Sequence, residues 1–399
     1  VLYKSYAMLS LYLFFYCFTS TVSSWVSDYR WARQSLPVLL DTHTEPLDTP
    51  LFRGQQEDEE RGGTKTLCGI ECQSSLPPMD QIEQERILGY ETMYENGTRT
   101  HTDISLQAFN KTSAGTPAHS PARTRRKRQV YGVDGRFVIS DLHFITNYPF
   151  STAVRLSTGC SGVLISQKHV LTAAHCIHDG RDYLGSARRL RVGVLQLKTK
   201  SRRGGRRRGG RKEGEEGVAE FERGGKQRSL SRIRRSAEPR KQPVFRWTRV
   251  KQTRIPQGWI QTKSSTNSVS PDYDYALLEL KRPLKQKYMD LLDGRGNEKV
   301  VYRFCSVANK SDDLMYQHCD AQPGATGAGV YVRLRQEVGE EGRKGKWQRR
   351  VIGVFTGHQW VKVEGGEQRD FNVAVRITPP KYAQICHWIH GDPSLCKEV

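Results

Sequence analysis

The hydrophobic pattern changes several times along the chain. Leu9 to Phe18 is an unbroken apolar run, preceded by Lys4 and followed by small residues as far as Ser24. From residue 25 to about 122 no regular alternation is visible. An acidic patch (Glu57, Asp58, Glu59, Glu60), a Cys68-Gly-Ile-Glu-Cys72 element and a Ser/Thr/Pro-rich end read as polar, strandless sequence. Short runs of Val, Ile, Leu, Phe and Tyr, broken by Gly, Asp and Asn, then predict strands from Arg136–Ser140 through to Lys198. The pattern collapses between Lys198 and Lys241. It returns at Phe245–Val250, Ala276–Leu280, Gly329–Arg333, Val351–Phe355 and Phe371–Val375. At the end, Tyr382, Ile385 and Ile389 fall at helical spacing. Many short strands and one terminal helix predict an all-β chain built as an antiparallel barrel.

The first apolar run is too short to cross a bilayer, which takes about 20 residues. Its charged start and small-residue end describe a signal peptide over residues 1–24, so a secreted, extracellular protein is expected, with no membrane insertion and no nucleic acid as partner. Secretion changes the meaning of the cysteines. Of nine, Cys17 leaves with the signal peptide, and an even number in an oxidising compartment favours disulfides over metal or redox sites. Cys160 and Cys176 bracket a short segment and can pair. Cys305–Cys319 and Cys386–Cys396 are near in sequence, and Cys68 and Cys72 pair with each other or tether the upstream segment; spacing does not choose. Asn96, Asn110 and Asn309 head Asn-X-Ser/Thr sequons and are candidate glycosylation sites.

Charge divides the chain further. The formal net charge is +21. Residues 198–241 hold 17 Lys/Arg against 6 Glu, with three Gly-Gly pairs and almost no apolar side chains. Such a segment cannot bury a core and is expected to be a disordered loop. Outside a cell it would attract sulfated glycosaminoglycans. A second basic cluster, Arg123-Thr-Arg125-Arg-Lys-Arg128, lies just before the strand-like pattern begins, and is expected to be a convertase processing site with cleavage after Arg128. The organisation predicted is therefore a signal peptide at 1–24, a pro-region at 25–128, and a domain at 129–396 with a basic insertion at 198–241.

Three constellations carry candidate chemistry. Leu171-Thr-Ala-Ala-His175-Cys176 follows Gly159-Cys160-Ser-Gly-Val-Leu-Ile165 and resembles the histidine motif of trypsin-like serine proteases. Asp272-Tyr-Asp274-Tyr-Ala-Leu-Leu-Glu-Leu280 resembles the segment in which that family's aspartate precedes an apolar strand. By that resemblance Asp274 accepts from the histidine Nδ1–H and fixes its tautomer. The family's Gly-Asp-Ser-Gly-Gly is matched by Gly324-Ala325-Thr326-Gly327-Ala328, so the nucleophile position holds Thr326. A threonine hydroxyl can in principle attack, but its β-methyl restricts χ1 and crowds the approaching carbonyl. Known threonine nucleophiles usually use their own α-amine as base. Ala325 replaces the aspartate that, in trypsin-like zymogens, pairs with the amine released by activation cleavage. Asp320, six residues before Thr326, matches by offset the aspartate at the base of a Lys/Arg-selecting pocket, but the cysteine that shapes that pocket wall is missing.

Further segments narrow the resemblance. Thr326–Arg333, Gly357-His-Gln-Trp360, Asn372–Pro379, Lys381–Cys386 and Tyr94–Thr100 are similar to the vertebrate serine protease 23 / inactive serine protease 35 group. What this implies is a trypsin-type double barrel with a C-terminal helix, a substituted nucleophile, no cofactor, and a function by binding extracellular proteins or glycosaminoglycans. The rival is a weak endopeptidase in which Thr326 attacks with His175 as base. Asp274 and Thr326 are only 52 positions apart, fewer than the family places there. Either sequence is missing near Asp290–Glu298 or the second barrel is truncated.

Overall fold

The structure is a computed structural model that describes residues 36–54, 79–107, 146–199, 241–260, 271–291, 307–318, 321, 324–335, 347–363 and 367–396. The signal peptide, Arg136–Ser140, Asn110, the Arg123–Arg128 cluster, Asp320 and residues 200–240 of the insertion lie outside them. Among the described residues no helix is long and apolar enough to cross a membrane.

Six strands close a barrel: β4 (Ala153–Leu156), β5 (Ser161–Leu164), β6 (His169–Thr172), β7 (Arg191–Thr199), β8 (Lys241–Pro256) and β9 (Ala276–Leu280). Their order is β8-β7-β4-β5-β6-β9, and β9 returns to β8 through Val250↔Leu280 to Arg254↔Leu277. The apolar runs that predict strands here are buried where they pair. Val163, Leu164, Val170, Leu171, Leu277 and Leu278 are all nearly inaccessible. Strand β8 serves three partners. Its first half pairs with β7; its second half pairs with β9, with a register shift between Val250 and Gln252, and with β2 (Tyr90–Tyr94).

Upstream sequence overturns the strandless reading. Strands β1 (Leu39–Leu47), β2 (Tyr90–Tyr94) and β3 (Arg99–Leu106), with helix α1 (Gln81–Leu88), extend the barrel sheet to nine strands in the order β1-β3-β2-β8. Their apolar signal is thin for a physical reason. Strand β3 buries Thr102, Ile104 and Leu106, so a threonine carries one step of the alternation. Strand β1 is at the sheet edge and buries Leu39 alone. An edge strand offers one ladder to a partner and most of its side chains to water, and so leaves little pattern to read. Helix α1 starts where the Asp80 carboxylate accepts from the Glu83 N–H (2.7 Å).

The second sheet contains β10 (Asp290–Leu291), β11 (Val307–Lys310), β12 (Leu314–Gln317), β13 (Gly329–Arg335), β14 (Trp347–Lys362) and β15 (Gln368–Arg376). Its order is β10-β14-β15-β12-β11, with β13 also on β14. Among the described residues this sheet does not close, and the two-residue β10–β14 pair is parallel. Among the described residues, therefore, one closed barrel faces one open sheet. Helix α2 (Pro379–His390) starts at Thr378 and ends at Gly391 (φ 69°). It is buried on most sides, including Lys381, Gln384 and His387 as well as the expected Ile385. Residues of both sheets and of α2 belong to one hydrophobic core.

Candidate functional site

The site lies where the two sheets meet. Strand β6 ends at Thr172, and a short 3-10 turn over Ala174–Cys176 carries His175. Ala173 and Ala174 are buried, so the small side chains let the turn lie against the barrel end. A Cys160–Cys176 disulfide (Cα–Cα 6.1 Å) ties this turn to the start of β5. On the neighbouring strand, Asp274 precedes β9 and is buried. One carboxylate oxygen accepts from the His175 backbone N–H (2.9 Å), and the other lies 2.6 Å from Nδ1. A carboxylate there selects the tautomer with the proton on Nδ1, leaving Nε2 as the basic atom. Asp274 thus grips both backbone and ring of His175.

Thr326 occupies the turn before β13 and is buried. Its carbonyl accepts from Ser161 N–H (2.7 Å), and the Ser161 hydroxyl donates to Gly324 O (2.6 Å). The Ser161 carbonyl in turn accepts from Thr172 Oγ1 (2.8 Å), on the strand that leads into His175. One residue of β5 therefore joins the histidine strand to the threonine turn. Gly324 and Gly327 both take positive φ (86° and 85°), the left-handed region that only glycine enters at little cost.

Sequence reasoning missed several residues that complete the surroundings. The Trp259 ring lies 6.3 Å from that of His175, and its indole N–H donates to the His178 carbonyl (2.9 Å). Tyr273 and Tyr275 flank Asp274, and burial raises both phenols above their ordinary range. The Tyr275 hydroxyl donates to Gln384 of α2, whose amide donates to Leu88 O. Lys381, fully buried, makes a 2.7 Å ion pair with Asp313 and lies 5.2 Å from the Tyr273 ring. A Trp in a Gly-Trp turn and tyrosines on either side of an Asp were visible as residues. Nothing in the sequence said that a helix more than 100 positions later would meet them.

The other expected sites are dispersed. Asn96 is exposed in the β2–β3 turn, where its side-chain oxygen accepts from Thr98 N–H and Oγ1. Asn309 is exposed on β11. Cys386 and Cys396 form a disulfide. Among the described residues no three His, Cys, Asp or Glu are placed to hold a metal ion.

His178, three positions after His175, gives a pH prediction. It is inaccessible to solvent, and its Nδ1 accepts from the Gly180 N–H (3.0 Å), so it is held neutral. Burial lowers its pKa from 6.5 to about 4, and does the same to His169. Between those values the unfolded chain binds more protons than the folded one, so stability falls as pH is lowered through that window. Glu91, whose burial raises its carboxyl, acts in the opposite sense and offsets part of this. The loss expected from His178 is on the order of 2–3 kcal/mol by pH 4. Urea midpoints measured from pH 7 to 4.5 check it, and His178→Asn should flatten the curve. An equal slope in that variant would assign the effect elsewhere.

A closed six-stranded barrel facing a second sheet, with a His–Asp pair and a nucleophile-position turn at the junction, defines a protein of the trypsin-like serine protease class. The sequence matches the Trypsin family profile over residues 142–213. Inactive serine protease 35 of Mus musculus is 45% identical over 394 residues, 92% of this chain and 93% of that protein. The Homo sapiens protein of that name is 47% identical over 401 residues, with 92% and 93% coverage. Serine protease 23 of Homo sapiens is 42% identical over 414 residues, covering 98% of both chains. The chain belongs to the serine protease 23 / inactive serine protease 35 family.

Proposed function

We propose that this chain is a secreted protease homologue without peptidase turnover, which works by presenting its protease-like surface to partners outside the cell. The observation that carries this reading is Thr326 at the nucleophile position. It is buried, β-branched and held by the Ser161 hydrogen bond, beside an Ala325 that cannot form the activation ion pair. His175 and Asp274 then persist as two members of a triad with no effective third. The names of the mouse and human inactive relatives agree with this reading. The apolar run at Leu9–Phe18 and the sequons support secretion, and the Arg125–Arg128 cluster supports cleavage to a chain starting at Gln129.

The expected result is no labelling of the purified protein by a fluorophosphonate, and peptide hydrolysis at most at the level left when a triad member is lost, roughly 10³–10⁴ over water. Turnover abolished by His175→Ala would overturn the reading. Thr326→Ser alone should restore little, because Ala325 leaves the oxyanion region without its ordering partner. Strong rescue by that one change would show the remaining machinery to be intact.

A second reading, binding of sulfated glycosaminoglycans, is favoured by where the insertion leaves the fold. Strands β7 and β8 stay paired out to Thr199↔Lys241, so the point at which residues 200–240 are inserted is the end of a two-stranded ribbon. That ribbon and the turn before it expose Arg188, Arg189, Arg191, Lys198, Arg246 and Arg249. Replacing residues 200–240 by a short turn should leave folding intact, since the ribbon already closes, and should move heparin-column elution to much lower salt. Unchanged elution would rule the insertion out as the binding surface.

A further inference from the structure

The segment upstream of Arg128 is built into the barrel sheet. Strand β2 pairs antiparallel with β8 from Tyr90↔Pro256 to Tyr94↔Gln252, on the edge that β8 would otherwise leave open beyond β7. The contact continues past the strand ends. Gln257 N–H donates to Gly89 O (2.7 Å), Gly258 N–H to Ile87 O (3.1 Å), and Glu95 N–H to Lys251 O (2.8 Å). Leu39, Leu88, Tyr90, Met93, Ile104 and Leu106 are buried in the same core as the barrel strands. At Gly258 an added Cβ would stand 2.7 Å from Ile87 Cγ2, so the two segments approach as closely as a side-chain-free position allows.

Two further contacts reach the surroundings of His175 and Asp274. Gly54 N–H donates to Tyr183 O (3.0 Å) in the loop that follows His178, and Gly54 bridges Leu184. On the other side, Leu88 O is the terminal acceptor of the buried chain from Tyr275, next to Asp274, through Gln384. His387 of α2 contacts Asp41 (3.0 Å), and the Trp388 ring meets Tyr90 edge-on. Departure of the upstream segment would uncover the β8 edge and strand the amide of Gln384 without an acceptor. The first would open an unpaired strand edge and its apolar core side chains to water, and the second would take a buried hydrogen bond from Gln384.

We propose that the upstream segment is not released on processing: cleavage after Arg128 gives a two-chain protein in which residues 36–54 and 79–107 remain bound by their packing and hydrogen bonds, as strands of the barrel sheet and as the support of the Tyr275–Gln384 chain beside Asp274. The partner that this open β8 edge fits is the protein's own N-terminal segment. The proposal rests on processing at Arg128, so its test supplies the cut independently.

Arg123–Arg128 of the full-length chain is replaced by the recognition sequence of a sequence-specific viral protease, and the purified protein is cut to completion. The fragments are followed by native size exclusion and by non-reducing denaturing electrophoresis. The expected result is co-elution of both fragments at the position of the uncut protein, with nine-tenths or more of the smaller one retained; the denaturing gel reports whether a disulfide also joins them. Should they fail to separate in denaturant, the same protein with Cys68→Ser and Cys72→Ser repeats the native run and is expected to co-elute. Elution of the smaller fragment alone, or its loss with aggregation of the larger, would overturn the proposal. In the cut protein, Gln384→Ala should weaken retention roughly tenfold in a urea series. Unaltered retention there would remove the Tyr275–Gln384–Leu88 chain from the argument. Failure to cut at the native Arg128 in cells would count against processing and leave these results standing.

Discussion

Gly327→Ala should destabilise the protein by about 4 kcal/mol or more, enough to prevent accumulation of folded material. An added Cβ would lie 2.2 Å from the Ser161 carbonyl oxygen and 2.3 Å from Thr172 Oγ1. The first of these is backbone in a paired strand, so it cannot step aside as the end of a long side chain would. The φ of 85° adds a left-handed penalty of about 1–2 kcal/mol for any residue with a Cβ. Relief would require moving the Thr326 turn away from β5. That breaks the Ser161–Thr326 hydrogen bond, which joins the turn to the barrel sheet, and the one from Gly327 N–H to Phe355 O (2.7 Å), which ties it to β14. Gly357→Ala is the control. Its φ of 121° is also positive, but nothing stands within 4 Å of the added carbon, so it should carry only the backbone penalty. Denaturant midpoints and the yield of folded protein for the two variants separate steric from conformational cost. Similar losses in both would show the packing argument to be wrong.

Asp313→Ala is expected to cost about 3 kcal/mol, while the double variant Lys381→Met, Asp313→Leu should be close to neutral. The Lys381 ammonium is almost inaccessible, and its carboxylate partner, 2.7 Å away, is about a third exposed. Its remaining contacts are a 3.3 Å hydrogen bond to Arg376 O and the face of Tyr273. Removing the carboxylate leaves a buried charge with weak compensation. The exposure of Asp313 places the estimate at the low end of what breaking a buried pair usually costs. The ring under the ammonium belongs to the residue before Asp274, so Asp313→Ala should also loosen the segment that holds His175. Hydrogen exchange at the β9 amides would report this, and a drop in stability without altered exchange there would confine the pair's role to anchoring α2.

The candidate site was legible in the sequence because its parts are local motifs. A histidine that follows a strand through two alanines needs its small neighbours adjacent in the chain, and the disulfide partner lies only 16 positions away. An aspartate placed before an apolar strand needs that strand immediately after it. The glycines around Thr326 are demanded by their own backbone angles. Each requirement is met within a few residues of the group it serves, so each leaves a pattern. The predicted strands Ala276–Leu280 and Phe371–Val375 were found for the same reason: they are buried along their length and read as apolar runs.

The upstream strands left no such trace, because their stability comes from a partner elsewhere. Strand β2 is held by a β8 edge more than 150 positions away, and β3 spends threonine and isoleucine at buried positions between polar ones. Backbone ladders are indifferent to side chain, so a polar segment can be a strand wherever an open edge receives it. The sequence by itself determined the chemistry available: a His–Asp pair, a threonine where a serine nucleophile would stand, and a basic insertion. Only the tertiary structure decided that Ser161 ties the threonine turn to the histidine strand, and that Gln384 links the residue beside Asp274 to the Leu88 carbonyl. Those contacts depend on sheet docking and helix placement, which bring together groups that no local pattern relates.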